Sequence, residues 1–197
     1  MASLTIRDAK VTDAGRIMRL VNDLALRQVM LPRSPASVIE HIRDFVIAEL
    51  DGEFVGCGSL HVVWSDMAEI RSIAVDPDVQ TRGIGRAMAD HLIDVAGELA
   101  VPKVYAFTYV PGFFEQIGFS VVQHSDLPHK MFNDCKNCPK FTACDEIAMM
   151  RVLREPTTAE IEEGTPLPRR PMRLTCSPRG SSARSRHRWV RAIRRPR

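Results

Sequence analysis

The chain has no stretch of about 18 apolar residues, so a membrane-crossing helix is excluded. Its N-terminus lacks a basic-then-apolar pattern, so no secretory leader is read there. The protein is therefore expected to be soluble, unexported and cytoplasmic, with no membrane partner. It contains only five cysteines in 197 residues, and a disulfide is disfavoured in a chain of that kind. The short glycine segment Gln80-Thr81-Arg82-Gly83-Ile84-Gly85 lacks the third glycine of the dinucleotide fingerprint. It also lacks the Lys-Ser/Thr pair of the P-loop, so neither nucleotide cradle is supported.

What is present is unevenly distributed. The net charge of +3 hides a division: residues 155–197 hold 11 of the 27 basic residues and 4 of the 24 acids, leaving the preceding body mildly acidic. From Pro156 onward Thr, Pro, Gly, Ser and Arg dominate and apolar periodicity vanishes, so residues 156–197 read as a basic, disordered tail. Its arginines have little aromatic interleaving and no recognition fold, which confines any nucleic-acid contact to nonspecific attraction. Cys176 in the tail reads as a free thiol. The remaining part, about 150 residues, is the size of one domain that buries an adequate core without staples.

Along that domain, Thr5-Ile6-Arg7 reads as a strand, and Asp13 is placed to cap a helix over 14–26 carrying Ile17, Met18, Leu20, Val21 and Leu24. Pro32 and Pro35 interrupt, and 37–43 suggests a second short helix. Residues 45–50 and 53–64 flank Asp51-Gly52, the pair a tight hairpin turn requires. The run ending at Val75 is apolar and β-branched, and Asp76-Pro77 ends it. From Arg86 to Ala100, Met88, Leu92, Val95, Ala96 and Leu99 recur at the helical period. Strands are expected over 103–108, 119–123 and 148–153, with a short helix at 113–116. This order predicts an α/β (α+β) domain with a mixed sheet. The glycines thus occupy a strand-to-helix turn. Unpaired N–H groups at a helix start, with glycines allowing close approach, suit phosphate oxygens, and Arg82 and Arg86 flank them. A plain surface turn fits the periodicity equally well.

Gln80 to Gly85 resembles the Q/R-x-x-G-x-G/A segment of the GNAT superfamily of N-acetyltransferases. Glu69 to Asp76 resembles that family's fourth strand, and Phe113-Phe114-Glu115-Gln116-Ile117-Gly118-Phe119 resembles its F-Y-x-x-x-G-F helix and following strand. More narrowly, residues 60–71 and 108–114 resemble the short, kinase-less N-acetylglutamate synthases. The resemblance spans residues 4–154. It implies a GNAT-type mixed central sheet flanked by helices over 1–155, with a Cys-rich insertion at 124–146. It also implies acetyl-CoA as co-substrate, held at the pyrophosphate by Gln80, Arg82, Gly83, Ile84, Gly85 and Arg86. The backbone of Ile73, Ala74 and Val75 would polarise the thioester and pair with the pantetheine arm. The implied activity is acetyl transfer to the α-amino group of L-glutamate, giving N-acetylglutamate in arginine biosynthesis. A GNAT acting on another small amine or a protein N-terminus, and a non-catalytic acetyl-CoA binder, remain open, as does a homodimer.

Glu69 and Arg71 are two apart on one strand and share a face. Glu69 is expected to take the acceptor's ammonium proton and Arg71 to bind an acceptor carboxylate, with Thr108 beside them; a solvated Glu/Arg pair is the alternative. The family's first helical region borders the acceptor, which implies Arg27, Met30 and Arg33 near its pocket. Many GNAT members have tyrosine where this chain has Phe114, so the acid that protonates the sulfur must come from elsewhere. Tyr109 is the expected substitute, with Tyr105 behind it and water as the alternative. Cys57 is expected as a small buried side chain, because direct transfer needs no acyl-enzyme. Finally, Cys135, Cys138 and Cys144 with His129 have the spacing of a structural zinc site, while reduced thiols remain the alternative; three clustered cysteines are too few for an iron–sulfur centre.

Overall fold

The computed structural model describes residues 2–158, apart from 134, 136, 137, 139, 141 and 142. Most of the expected tail lies outside the described residues, as does Cys176. The elements are β1 (Leu4–Asp8), α1 (Ala14–Leu26), α2 (Pro35–Glu40), β2 (Phe45–Leu50), β3 (Glu53–Trp64), β4 (Met67–Val75), α3 (Ile84–Glu98), β5 (Lys103–Thr108), α4 (Pro111–Glu115), β6 (Ser120–Val121), α5 (Pro128–Asn133) and β7 (Ile147–Val152). The strands form one seven-stranded sheet in the order β1-β2-β3-β4-β5-β7-β6. Every pairing is antiparallel except β4 with β5. The result is the mixed sheet flanked by helices that the sequence predicts.

Period-two alternation puts neighbouring strand residues on opposite faces, and two helices cover those faces. Val46 packs in the cluster containing Ala89, Leu92, Ile93 and Ala96 of α3. Its neighbours Phe45 and Ile47 pack with Ile17, Val21 and Leu24 of α1. The helical spacing of each apolar stripe is what lets one helix meet one face. Asp51 and Gly52 both have positive φ, 52° and 87°, as the tight β2–β3 turn requires.

Several boundaries differ from the sequence expectation. Helix α3 begins at Ile84, with Gly83 at φ 76° as its N-cap, so the glycine segment itself opens the helix. Helix α2 covers 35–40, because Pro35 is accommodated in the first turn and Ser34 Oγ accepts the Ser37 N–H. Strand β6 is only two residues long. Asp13 does not cap α1. Its carboxylate instead accepts the Lys10 N–H at 2.8 Å, closing the preceding 3-10 turn, and is held by the Arg7 guanidinium at 2.9 and 3.2 Å. Helix α5, in the Cys-rich segment, has no counterpart among the expected elements. Among the described residues no helix is long and apolar enough to cross a membrane.

One irregularity in β4 shapes the site. Cys57 and Ser59 of β3 face Ala74 and Arg71, so β4 carries one extra residue there, and Ser72 takes φ 57° within the bulge. The extra residue reverses the alternation. Ile70 packs with the α3 cluster, whereas Ala74, four residues on, packs with the α1 cluster. A bulge also bends its strand and increases its twist. Accordingly, β4 pairs with β5 only from Met67 to Glu69, opposite Lys103 to Tyr105. Beyond Glu69 the two strands fork.

Candidate active site

A cavity of about 760 Å³ lies in the fork. Glu69, Arg71 and Ile73 reach it from β4, Thr108 from β5 and Tyr109 just after it, so five residues singled out in the sequence meet here. Glu69 stands at the last position where β4 pairs with β5 and is 3% exposed. Its Oε2 lies 3.5 Å from the Arg71 guanidinium. The Lys130 ammonium spans the same carboxylate, 2.8 Å from Oε1 and 2.9 Å from Oε2. A buried carboxylate needs such partners to offset its lost hydration.

The opposite wall comes from the loop after α1. Asn22 holds the Arg33 backbone from both sides, donating to its carbonyl at 3.1 Å and accepting its N–H at 2.9 Å. The Arg33 side chain then donates to Ser72 Oγ at 3.1 Å, crossing from the loop to the β4 bulge. Met30 and Arg33 therefore border the cavity as expected, but Arg27 does not. Arg27 lines a separate small hollow beside Asp76 and Asp78, because α1 ends at Leu26 and the chain turns away there.

Thr108 Oγ1 accepts the Val110 N–H at 3.0 Å, which fixes the turn into α4 and leaves the hydroxyl proton for another acceptor. Tyr109 donates to Asp145 Oδ1 at 2.9 Å and accepts from Lys140 Nζ at 3.0 Å. Burial, partly countered by Lys140, raises the phenol above its ordinary value, so it holds its proton at neutral pH. Phe114 lines the cavity with an edge-on ring stack on Phe113 and Phe119 and supplies no proton. Tyr105 is 1% exposed in a separate core cluster, which removes it as a substitute acid. Cys57 is fully buried, and burial pushes its thiol up to about 12, the behaviour of a packing residue.

At the other end of β4, Gln80 Nε2 donates to the Val75 carbonyl at 3.1 Å and ties the glycine turn to the strand. Thr81 and Gly83 have φ of 70° and 76°, and the backbone at 82, 83 and 85 is open to solvent or only partly covered. Ala74 and Ile84 are buried among apolar side chains, so each offers a ligand only its backbone. Gly85 lies where a Cβ would be 3.6 Å from both Phe113 and Val75. Arg82 is exposed, whereas Arg86 donates to the Gln116 carbonyl at 3.2 Å and lies 3.4 Å from Asp90, which turns it toward α4.

The zinc expectation finds no support. Among the described residues, no group of three His, Cys, Asp or Glu side chains is gathered to hold a metal ion. His129 instead stacks on Trp64, ring centroids 4.4 Å apart and 8° from parallel. Cys135 and Cys138 line the cavity, while Cys144 is exposed. Three ionisable lining residues have no signal in the sequence: Lys130, Glu146 and His41. Burial raises the Glu146 carboxyl above its ordinary range and lowers the His41 imidazole below its own.

A forked pair of parallel strands, with a glycine-opened helix at the far end of one strand, is matched in known proteins. Residues 21–119 match the model of the Acetyltransferase (GNAT) family. The chain belongs to that family. This GNAT enzyme is an acetyl-CoA-dependent N-acetyltransferase. It is 39% identical over 152 residues to an uncharacterized N-acetyltransferase of Chlorobaculum tepidum, covering 77% of this chain and 98% of that one. It is 36% identical over 132 residues to an amino-acid acetyltransferase of Mycobacterium tuberculosis, covering 66% of this chain and 75% of that protein. In three dimensions it resembles the N-acetylglutamate synthase of Neisseria gonorrhoeae complexed with coenzyme A and N-acetyl-glutamate. That match has a TM-score of 0.71 at 27% identity and covers 79% of this chain but only 36% of the larger protein.

Proposed function

We propose that the enzyme transfers the acetyl group of acetyl-CoA to the α-amino group of L-glutamate, making N-acetylglutamate for arginine biosynthesis. The observation that carries this reading is a buried carboxylate, Glu69, surrounded in one cavity by Arg71, Arg33 and Lys130. Cations beside a base fit an acceptor that brings carboxylates with its amine, whereas a polyamine would need a cluster of acids. The amino-acid acetyltransferase relative and the synthase neighbour support the same acceptor class.

In this reading the backbone of Gln80 to Arg86, at the start of α3, takes the pyrophosphate, with Arg82 adding charge. The fork beyond Glu69 leaves the β4 backbone at 73–75 to pair with the pantetheine arm and polarise the thioester carbonyl. Arg71, with Arg33 on the facing wall, holds the acceptor's α-carboxylate, and Thr108 hydrogen-bonds the acceptor. Glu69 takes a proton from the ammonium, the neutral nitrogen bonds to the acetyl carbon as the carbon–sulfur bond breaks, and the acylated nitrogen gives up its second proton to solvent to leave the neutral amide. The sulfur leaves with the bond's electron pair and receives a proton from Tyr109, which Lys140 or solvent returns.

Steady-state formation of N-acetylglutamate by the purified protein tests the reading. Glu69→Gln is expected to lower kcat by about 100-fold or more while acetyl-CoA affinity changes little. Turnover equal to wild type would remove Glu69 from the chemistry, and no N-acetylglutamate from wild type would overturn the function.

A further inference from the structure

Both oxygens of Glu69 are covered. Lys130 Nζ sits 2.8 and 2.9 Å from them, and the Arg71 guanidinium lies 3.5 Å from Oε2. An acceptor amine must compete with the bridging ammonium for these oxygens. Lys130 comes from α5, in the Cys-rich segment, and its side chain is 13% exposed. Its ammonium also lies 5.7 Å above the Phe107 ring, at the edge of the same cavity. Phe107 is a weak partner that would let the charge swing without leaving the wall. Around this point the cavity presents Arg33, Arg71 and Lys130 against Glu69 and Glu146, with His41 kept neutral by burial. Among the described lining residues the fixed charges therefore sum to an excess of cation even with both carboxyls ionised. A zwitterionic amino acid with an uncharged side chain leaves that excess in place, whereas an α-amino dicarboxylate cancels it.

We infer that Lys130 is the residue that reads the acceptor's side-chain carboxylate, exchanging its bridge to Glu69 for a bridge to substrate and thereby uncovering the base. This rests on the function proposed above and deepens it: acidic side chains are selected because only they draw the ammonium away. A neutral acceptor must reach Glu69 against an intact ion pair. The segment that carries Lys130 is thus part of the acceptor site.

The test compares glutamate with glutamine, which differ at the side-chain end alone, in wild type, Lys130→Gln and Lys130→Arg. Lys130→Gln is expected to reduce the glutamate-to-glutamine ratio of kcat/KM by about 30-fold, the worth of one charged hydrogen bond. Most of that change should come from KM for glutamate. Lys130→Arg keeps a cation and is expected to restore most of the ratio. A merely structural lysine would lower both acceptors together, and an unchanged ratio overturns the inference. The wild-type protein supplies a check independent of how the variants fold. Glutarate, which has two carboxylates and no amine, is expected to compete with glutamate at least tenfold more tightly than butyrate, which has one; equal inhibition would also overturn the inference. If wild type acetylates glutamate and either comparison fails, only the role of Lys130 falls. If it acetylates no amino acid, the function falls and this inference with it.

Discussion

Glu69 and Tyr109, the base and the acid of the proposed transfer, sit in different surroundings. Glu69 is buried at the vertex of the fork between two cations, while Tyr109 bonds Asp145 and Lys140 on the same cavity wall. Because burial raises the Tyr109 phenol above its ordinary value near 10, it is protonated throughout the neutral range and loses its proton only in strong alkali. If it is the acid, kcat falls as pH rises through that raised value, and Tyr109→Phe lowers kcat by about 10- to 100-fold while abolishing the alkaline limb. A pH profile of the variant identical to wild type would assign the proton to water and leave Tyr109 as packing. At this scale the sequence was readable where spacing encodes geometry. Glu69 and Arg71, two apart on a strand, do share the cavity. Lys130 was not readable, because 61 residues separate it from Glu69 and no periodicity links a short helix in an insertion to a strand vertex. The cysteine spacing satisfied a zinc pattern, yet the fourth expected ligand, His129, is stacked on Trp64.

The elements that position the site were legible to different depths. Amphipathic periodicity located α1 and α3, and the Asp-Gly pair located the β2–β3 turn, because each is a local requirement. The β4 bulge was not legible. Ser72 adopts φ 57° without being glycine, and what holds it is tertiary: Arg33 bonds its hydroxyl and β3 pairs on either side. A non-glycine residue in that region stores about 1–3 kcal/mol, and such strain is typical of functional positions. At the entrance to α1, Asp13 links strand and helix rather than capping. Arg7 and the Lys10 N–H both bind its carboxylate, and the Arg7 bonds chiefly hold its pKa below the ordinary value. A lowered carboxylate pKa stabilises the fold above the unfolded value near 4, and that contribution disappears as pH falls toward the lower folded value. Asp13→Asn is therefore expected to cost about 2–3 kcal/mol at pH 7 and much less near pH 2. Urea unfolding at the two pH values measures the difference; an equal loss at both would mean that charge is not what Asp13 contributes.

For the whole molecule, the family, the mixed sheet and the glycine-opened helix followed from a few motifs, because those motifs sit where strand meets helix and their backbone geometry is constrained. The cavity proposed to take the acceptor is assembled differently. It draws Arg33 from the loop after α1, Glu69 and Arg71 from β4, Thr108 and Tyr109 from the end of β5, and Lys130 from α5. Only the folded sheet brings these segments together, and their shared property is a surplus of cation around one buried base. That surplus is the basis for assigning an amino dicarboxylate as acceptor. The most direct test is a competition: limiting acetyl-CoA is offered to the enzyme with equal concentrations of glutamate, aspartate, glutamine, spermidine and a short peptide, and acetylated products are counted by mass spectrometry. N-acetylglutamate as the dominant product is the predicted result. Dominant acetylation of spermidine or the peptide would contradict the account, because neither brings the pair of carboxylates that the proposed acceptor site takes.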